Sequence, residues 1–232
     1  MKAVRFIFGL VLIPVCWAFT QTAIELTTRI QPDTSLLIPP SAWALGGGYL
    51  LWLAIYFLLP RPVRTYVLAH ELTHALWGWL MGARVMKLNV SKSGGSVTLS
   101  KSNFWIALAP YFFPFYTVLT ILIYYLLSLF FNLEPYHLTW LALVGFTWGF
   151  HLTFTITTLM QHQTDIQENG YLFSYALIYA LNVLGICIWI LLVSSVTFEM
   201  LMDSLWNTLS QTAIFLYHTG CSGIEMVKEQ MQ

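Results

Sequence analysis

The sequence predicts an all-α polytopic membrane protein, with about six transmembrane helices and a β-hairpin between the third and the fourth. Three observations predict it. First, 58% of the 232 residues are hydrophobic and only 9% are charged, a balance outside that of ordinary soluble domains. Second, the apolar residues fall into runs of roughly twenty, the length an α-helix needs to cross a bilayer. Third, one interval between runs alternates apolar and polar residues with a period of two, which is a strand pattern.

The first run, residues 3–20, follows Lys2 and Arg5. Pro14, Cys16 and Trp17 interrupt it and no A-x-A site follows cleanly, so an uncleaved span is favoured over a signal peptide. Residues 21–42 read as a polar loop with Pro32, Pro39 and Pro40. The second span covers 43–60, where Gly46, Gly47 and Gly48 permit close helix contact. Arg61-Pro62 ends that run, and a third helix occupies 63–82, stopped by Gly82. In 84–101, Leu88, Val90, Val97 and Leu99 alternate with Asn89, Ser91, Ser96, Thr98 and Ser100 around the turn Lys92-Ser93-Gly94-Gly95, predicting the hairpin. Its Arg84, Lys87, Lys92 and Lys101, unmixed with acids, assign it to the cytoplasmic side or the interface.

The fourth span, 104–131, is long enough to tilt or to bend at Pro110 and Pro114. The fifth covers 138–160 and the sixth 171–195. Phe198, Leu201, Leu205 and Leu209 recur at helical spacing beside Glu199 and Asp203, so 197–217 is expected as an interfacial helix. Without an internal repeat or a low-complexity linker, residues 1–232 are expected to form a single domain. Arg61 and Arg64 flank one end of the third helix and the basic hairpin the other, so the positive-inside rule gives opposed orientations. Ten basic and ten acidic residues cancel, which excludes the global field of a nucleic-acid binder. The three cysteines lie far apart with no CxxC pair, so neither a disulfide framework nor thiol chemistry is indicated.

Inside the third helix lies His70-Glu71-Leu72-Thr73-His74, an H-E-x-x-H motif. Spacing of four residues stacks His70 and His74 on one helical face, where two imidazoles can share one zinc ion. Glu71 stands beside them as a candidate general base. Ionisable groups are costly within a bilayer and rarely appear there without a function. A catalytic zinc takes a third protein ligand. Glu134, His137, His151, His162, Asp165, Glu168, Glu199 and Asp203 are the candidates. Glu134 and His137 suit a solvated turn beside Pro135. His151, among several threonines, is most simply hydrogen-bonded to one of them. The stretch Gln161-His162-Gln163-Thr164-Asp165 is more suggestive, because it brings polar groups to the end of a membrane helix.

With these residues the chain resembles the site-2 protease family of intramembrane zinc metalloproteases. The matching elements are the motif in a membrane helix, the Gly94-Gly95 hairpin, Ala109-Pro110 at the entry to the next helix, and Asp165 with Gly170 downstream. They span residues 63–182, the family-like core. The resemblance implies His70, His74 and Asp165 as zinc ligands, with His162 as runner-up, and Glu71 as general base. The chain departs from the family in two places. Thr164-Asp165-Ile166 replaces the usual Leu-Asp-Gly, and Ala109-Pro110-Tyr111-Phe112-Phe113 replaces Gly-Pro-x-x-Asn, so the donor that would steady the substrate carbonyl is not identified.

The implied function is zinc-dependent hydrolysis of peptide bonds in or near transmembrane segments of other membrane proteins. An integral, multi-pass location is expected, in the bacterial cytoplasmic membrane, with the lipid bilayer and a membrane-protein substrate as partners. No PDZ-like segment is seen in the sequence, so selection is expected to rest on the membrane core or on a partner. The hairpin edge at Gly94, Gly95, Val97 and Thr98 is the expected substrate-binding strand. Two other classes compete: a non-enzymatic metal-binding or scaffold protein, and a metal or proton transporter. A transporter predicts ionisable groups spread over several spans, whereas here they concentrate at one point.

Overall fold

The computed structural model describes residues 2–30, 39–91 and 94–230, and it is a helical polytopic fold with one antiparallel hairpin. Among the described residues, four helices are long and apolar enough to cross a membrane: Ala3–Thr28, Pro40–Leu58, Glu134–Leu159 and Tyr171–Val193. A bent pair, Phe104–Tyr111 with Phe115–Ser128, makes a fifth if it counts as one span. The remaining run read as a span is the motif helix, whose Arg64, His70, Glu71 and His74 make it the least apolar of the six. The residues divide into two compact units, 1–33 with 172–232, and 34–171.

The first unit contains α1 (Lys2–Thr28), α8 (Tyr171–Val193, most of it in this unit) and α9 (Phe198–Gln230). The helix α1 runs through the polar stretch in which a loop was expected from residue 21. Its threonines explain the continuation. Thr20 and Thr22 donate to the carbonyls of Cys16 and Ala18 one turn back, and Thr27 and Thr28 to those of Ile24 and Glu25. Thr22 also meets Thr208 of α9 at 2.7 Å, and Ser204 donates to the Glu25 carboxylate. Polar residues here are consumed by helix and neighbour, so they do not end the helix. The helix α9 extends to Gln230, well past the stretch 197–217. Of the expected loop, Pro32 lies outside the described residues, while Pro39 and Pro40 open the next helix.

The second unit is built on α2 (Pro40–Leu58) and α6 (His137–Leu159). Gly48 faces the Ala142 carbonyl so closely that a Cβ there would lie 1.8 Å from its oxygen. Gly145 faces the Leu45 carbonyl in the same way, at 1.9 Å. Small residues let two backbones approach where no hydrophobic force drives helices together. Gly46 and Gly47, also expected to mediate contact, have nothing within 4 Å of a Cβ position.

Above this crossing Trp52, Tyr56, Tyr66, Phe150 and Phe154 form a buried aromatic cluster. Tyr66 stacks on Phe154 at 4.7 Å, and this ties α3 (Val63–Leu80) to α6. Each such ring pair is worth about 0.5–1.5 kcal/mol beyond packing. The cluster fixes the turn of α3 that precedes His70.

The hairpin pairs β1 (Val85–Val90) with β2 (Gly95–Leu99), with a register irregularity between Val85 and Lys87. Lys92 and Ser93 of the expected turn lie outside the described residues. The 104–131 run bends, as its prolines predict. A short helix, α4 (Phe104–Leu108), is capped by the Asn103 side chain, which accepts from Ile106 N at 2.9 Å. A 3-10 turn at Ala109–Tyr111 follows, and α5 (Phe115–Ser128) leaves at 82° to this segment, beginning after Pro114. Proline cannot continue the backbone ladder, so the chain turns there. Finally α7 (Thr164–Asn169), six residues long, ends at Gly170 with φ +89°.

Candidate metal centre

One turn of α3 separates His70 from His74, and their rings lie edge to face with centroids 4.8 Å apart. Their Nε2 atoms converge to 3.2 Å. Each ring is held from its other nitrogen. The Ile106 carbonyl accepts from Nδ1–H of His74 at 2.8 Å, and the Tyr66 hydroxyl lies 3.3 Å from Nδ1 of His70. A proton on Nδ1 leaves the Nε2 lone pair free, which is the state a metal ligand requires.

Asp165, in the first turn of α7, completes the cluster. Its Oδ2 stands 3.5 Å from His74 Nε2 and 3.7 Å from His70 Nε2. These groups are the three-residue cluster suited to a metal ion among the described residues. A tetrahedral ion with bonds of about 2.1 Å has its ligand atoms about 3.4 Å apart. The observed 3.2, 3.5 and 3.7 Å match that spacing, and two imidazoles with one carboxylate form a donor set that suits zinc.

Two residues around Asp165 were not singled out for a role from the sequence. The Tyr111 hydroxyl, fully buried, donates to Asp165 Oδ2 at 3.1 Å, and its ring lies edge to face with His70 at 5.3 Å. Gln163 lies beside them, its Oε1 3.5 Å from the same hydroxyl. The sequence held one signal for Tyr111: a hydroxyl in the Ala109-Pro110-Tyr111 segment, where the family pattern differs. His162, the runner-up ligand, is exposed and turned toward Gln167, away from the cluster. His151 is buried in α6, but its Nε2 has no hydrogen-bond partner among the described residues, so the expected threonine bond is not made. Glu134 and His137 lie at the start of α6, whereas Glu199 and Asp203 belong to α9 in the other unit.

Glu71 is buried on the hairpin side of the helix. The start of β2 lies directly against it: a Cβ on Gly95 would come within 2.6 Å of Glu71 Cγ and 2.8 Å of Oε1. Farther along, Leu99 packs over Gly78, so β2 runs beside α3 in the same direction. Val97 and Thr98 face a cavity of about 500 Å³ that also contains His70, Glu71, His74 and Asp165. A second cavity, of about 390 Å³, lies among Arg61, Tyr66, Gly94 and Thr158. The two share His70, Glu71, Gly95 and Gln163 in their walls, so they adjoin one another at the Glu71 side chain.

The membrane fold, the motif and the cleft define a class, the integral membrane metalloproteases. The chain matches the model of the Peptidase M50B-like family over residues 46–159, just under half its length. That segment holds most of α2, then α3, the hairpin, α4, α5 and α6, and it ends before Asp165. Comparison with curated proteins and with solved structures gives no match.

Proposed function

We propose that the protein is an intramembrane zinc metalloprotease, hydrolysing peptide bonds in or near transmembrane segments of other membrane proteins. The observation that carries this reading is the position of Glu71. Its side chain lines two adjoining cavities, one residue from His70 and beside a ligand set at tetrahedral spacing. A metal held only for structure needs no base beside it and no cleft in front.

His70, His74 and Asp165 would hold the ion, and zinc bound there would supply Lewis-acid polarisation of the scissile carbonyl and of the attacking water. Glu71 accepts the proton of that water and passes it to the leaving nitrogen, which balances the hydrolysis. Burial against Gly95 confines the carboxylate to the position from which it makes both transfers. A transmembrane helix has its backbone groups paired internally, so the substrate unwinds locally before attack. The unwound strand then pairs with the edge of β2, with Gly94, Gly95, Val97 and Thr98 along the cleft.

The test is Glu71→Gln in proteoliposomes with a membrane-protein substrate. Glutamine keeps the size of the side chain but cannot act as the base. Zinc content should stay normal while cleavage falls by about two to four orders of magnitude. Normal cleavage by Glu71→Gln at full zinc occupancy would falsify the mechanism. A scaffold or metal-sensing role predicts instead that the variant binds metal more weakly, with no proteolysis to lose.

A further inference from the structure

The two adjoining cavities, the arms of the cleft around Glu71, carry different ionisable groups among their described lining residues. In the larger arm the ionisable group beyond the metal cluster and Glu71 is Glu168. In the smaller arm it is Arg61, set among Thr157, Thr158 and Gln161. Arg61 is exposed, and its guanidinium lies 4.4 Å over the ring of Tyr56. Tyr56 is itself held, with its hydroxyl 2.6 Å from Thr157 Oγ1 and its ring edge to face with Phe154 at 5.7 Å. Stacking of this kind uses the flat face of the guanidinium and leaves its in-plane N–H donors for another partner. Among the described residues no carboxylate pairs with Arg61. An arginine serving only as an interfacial anchor would extend its charge toward lipid headgroups. Arg61 instead lies against the protein at the wall of a cavity that also holds the proposed base.

We propose that Arg61 determines specificity by receiving a carboxylate of the substrate chain on one flank of the scissile bond, an inference that rests on the protease reading above. The planar fork of its free donors matches a carboxylate in two parallel hydrogen bonds. An Asp or Glu side chain near the cut and the free C-terminus of a short chain present the same group. The cleft then distinguishes one flank of a substrate by charge.

The experiment uses the full chain in neutral detergent and a labelled peptide containing an apolar segment. A single Glu, Gln or Lys is scanned through its flanking residues with the C-terminus amidated. A Gln version with a free C-terminus supplies the terminal carboxylate. Binding is read on the Glu71→Gln background and cleavage on the native chain. The best Glu peptide, or the free-acid peptide, should bind about threefold to tenfold better than its neutral counterpart. A position-dependent Glu preference identifies a side chain as the source, and a preference confined to the free acid identifies the terminus.

Arg61→Gln should abolish the difference, and Arg61→Glu should transfer the preference to Lys. Binding preference without any cleavage would sink the protease reading while leaving the carboxylate subsite standing. Equal binding of Glu, Gln and Lys peptides overturns the proposal. So does a preference that survives Arg61→Gln, or failure of every peptide to bind.

Discussion

Gly95 and Glu71 fit so closely that no methyl group can be placed between them: a Cβ on Gly95 would lie 2.6 Å from Glu71 Cγ and 2.7 Å from the neighbouring Val67 Cγ1. Gly95→Ala should therefore displace the carboxylate without touching the ligand cluster. Cleavage should fall by about a hundredfold, the cost of roughly an ångström of misplacement at a reacting group. Zinc content should be unchanged. Gly46→Ala, with open space at its Cβ position, is the control and should behave as the native chain. Equal rates for the two variants would mean that Glu71 does not need its observed position.

The ligand set predicts an ordered pattern of metal loss. His70→Ala, His74→Ala and Asp165→Ala should each lose most of the bound zinc, because two protein ligands hold it poorly at an open site. His162→Ala should keep it, since that ring is exposed and faces Gln167. Metal analysis of the purified variants decides the matter. Zinc lost from His162→Ala and retained by Asp165→Ala would reverse the assignment.

Tyr111→Phe keeps the ring against His70 and removes only the hydroxyl that donates to Asp165 Oδ2. The carboxylate then loses the group that orients it. Zinc affinity should drop by about 10–100-fold, the usual cost of deleting a partner one shell beyond the metal. Competition with a chelator of known affinity measures it. An unchanged affinity would make Tyr111 a packing residue only.

What could be read in advance follows from how local each cause is. The hairpin was legible because alternation and a glycine turn are properties of adjacent residues, and the ladder pairs Leu88 with Val97 and Asn89 with Ser96. The shared face of His70 and His74 was legible because helical spacing is local too. Asp165 came from the order of motifs along the chain, not from periodicity. Tyr111 and Gln163 were given no role, because their part depends on an approach across roughly fifty residues of chain that composition does not record. The end of α1 differs from the sequence expectation for a related reason: polar residues signal a loop only when their hydrogen bonds go unmet, and Thr22 and Glu25 find partners on α9.

The contact between α2 and α6 should be intolerant of any added side chain. Gly145→Ala puts a methyl 1.9 Å from the Leu45 carbonyl oxygen, so the helices must separate. Thermal unfolding in detergent should show a loss of about 1–3 kcal/mol. Gly47→Ala, one position from the contact on α2, should unfold as the native chain does. Equal melting of Gly145→Ala and the native chain would show that the crossing can loosen without cost.

The helix α7 delivers Asp165 from a point 95 residues after His70 in the chain. A ribosome reading the message therefore produces the imidazoles and the glutamate long before the carboxylate that joins them. On the proposed ligand set, a growing polypeptide with only two ligands synthesised would hold the ion poorly. The proposed activity would thus begin only once the last piece of the centre has left the ribosome, a delay written into the order of the gene itself.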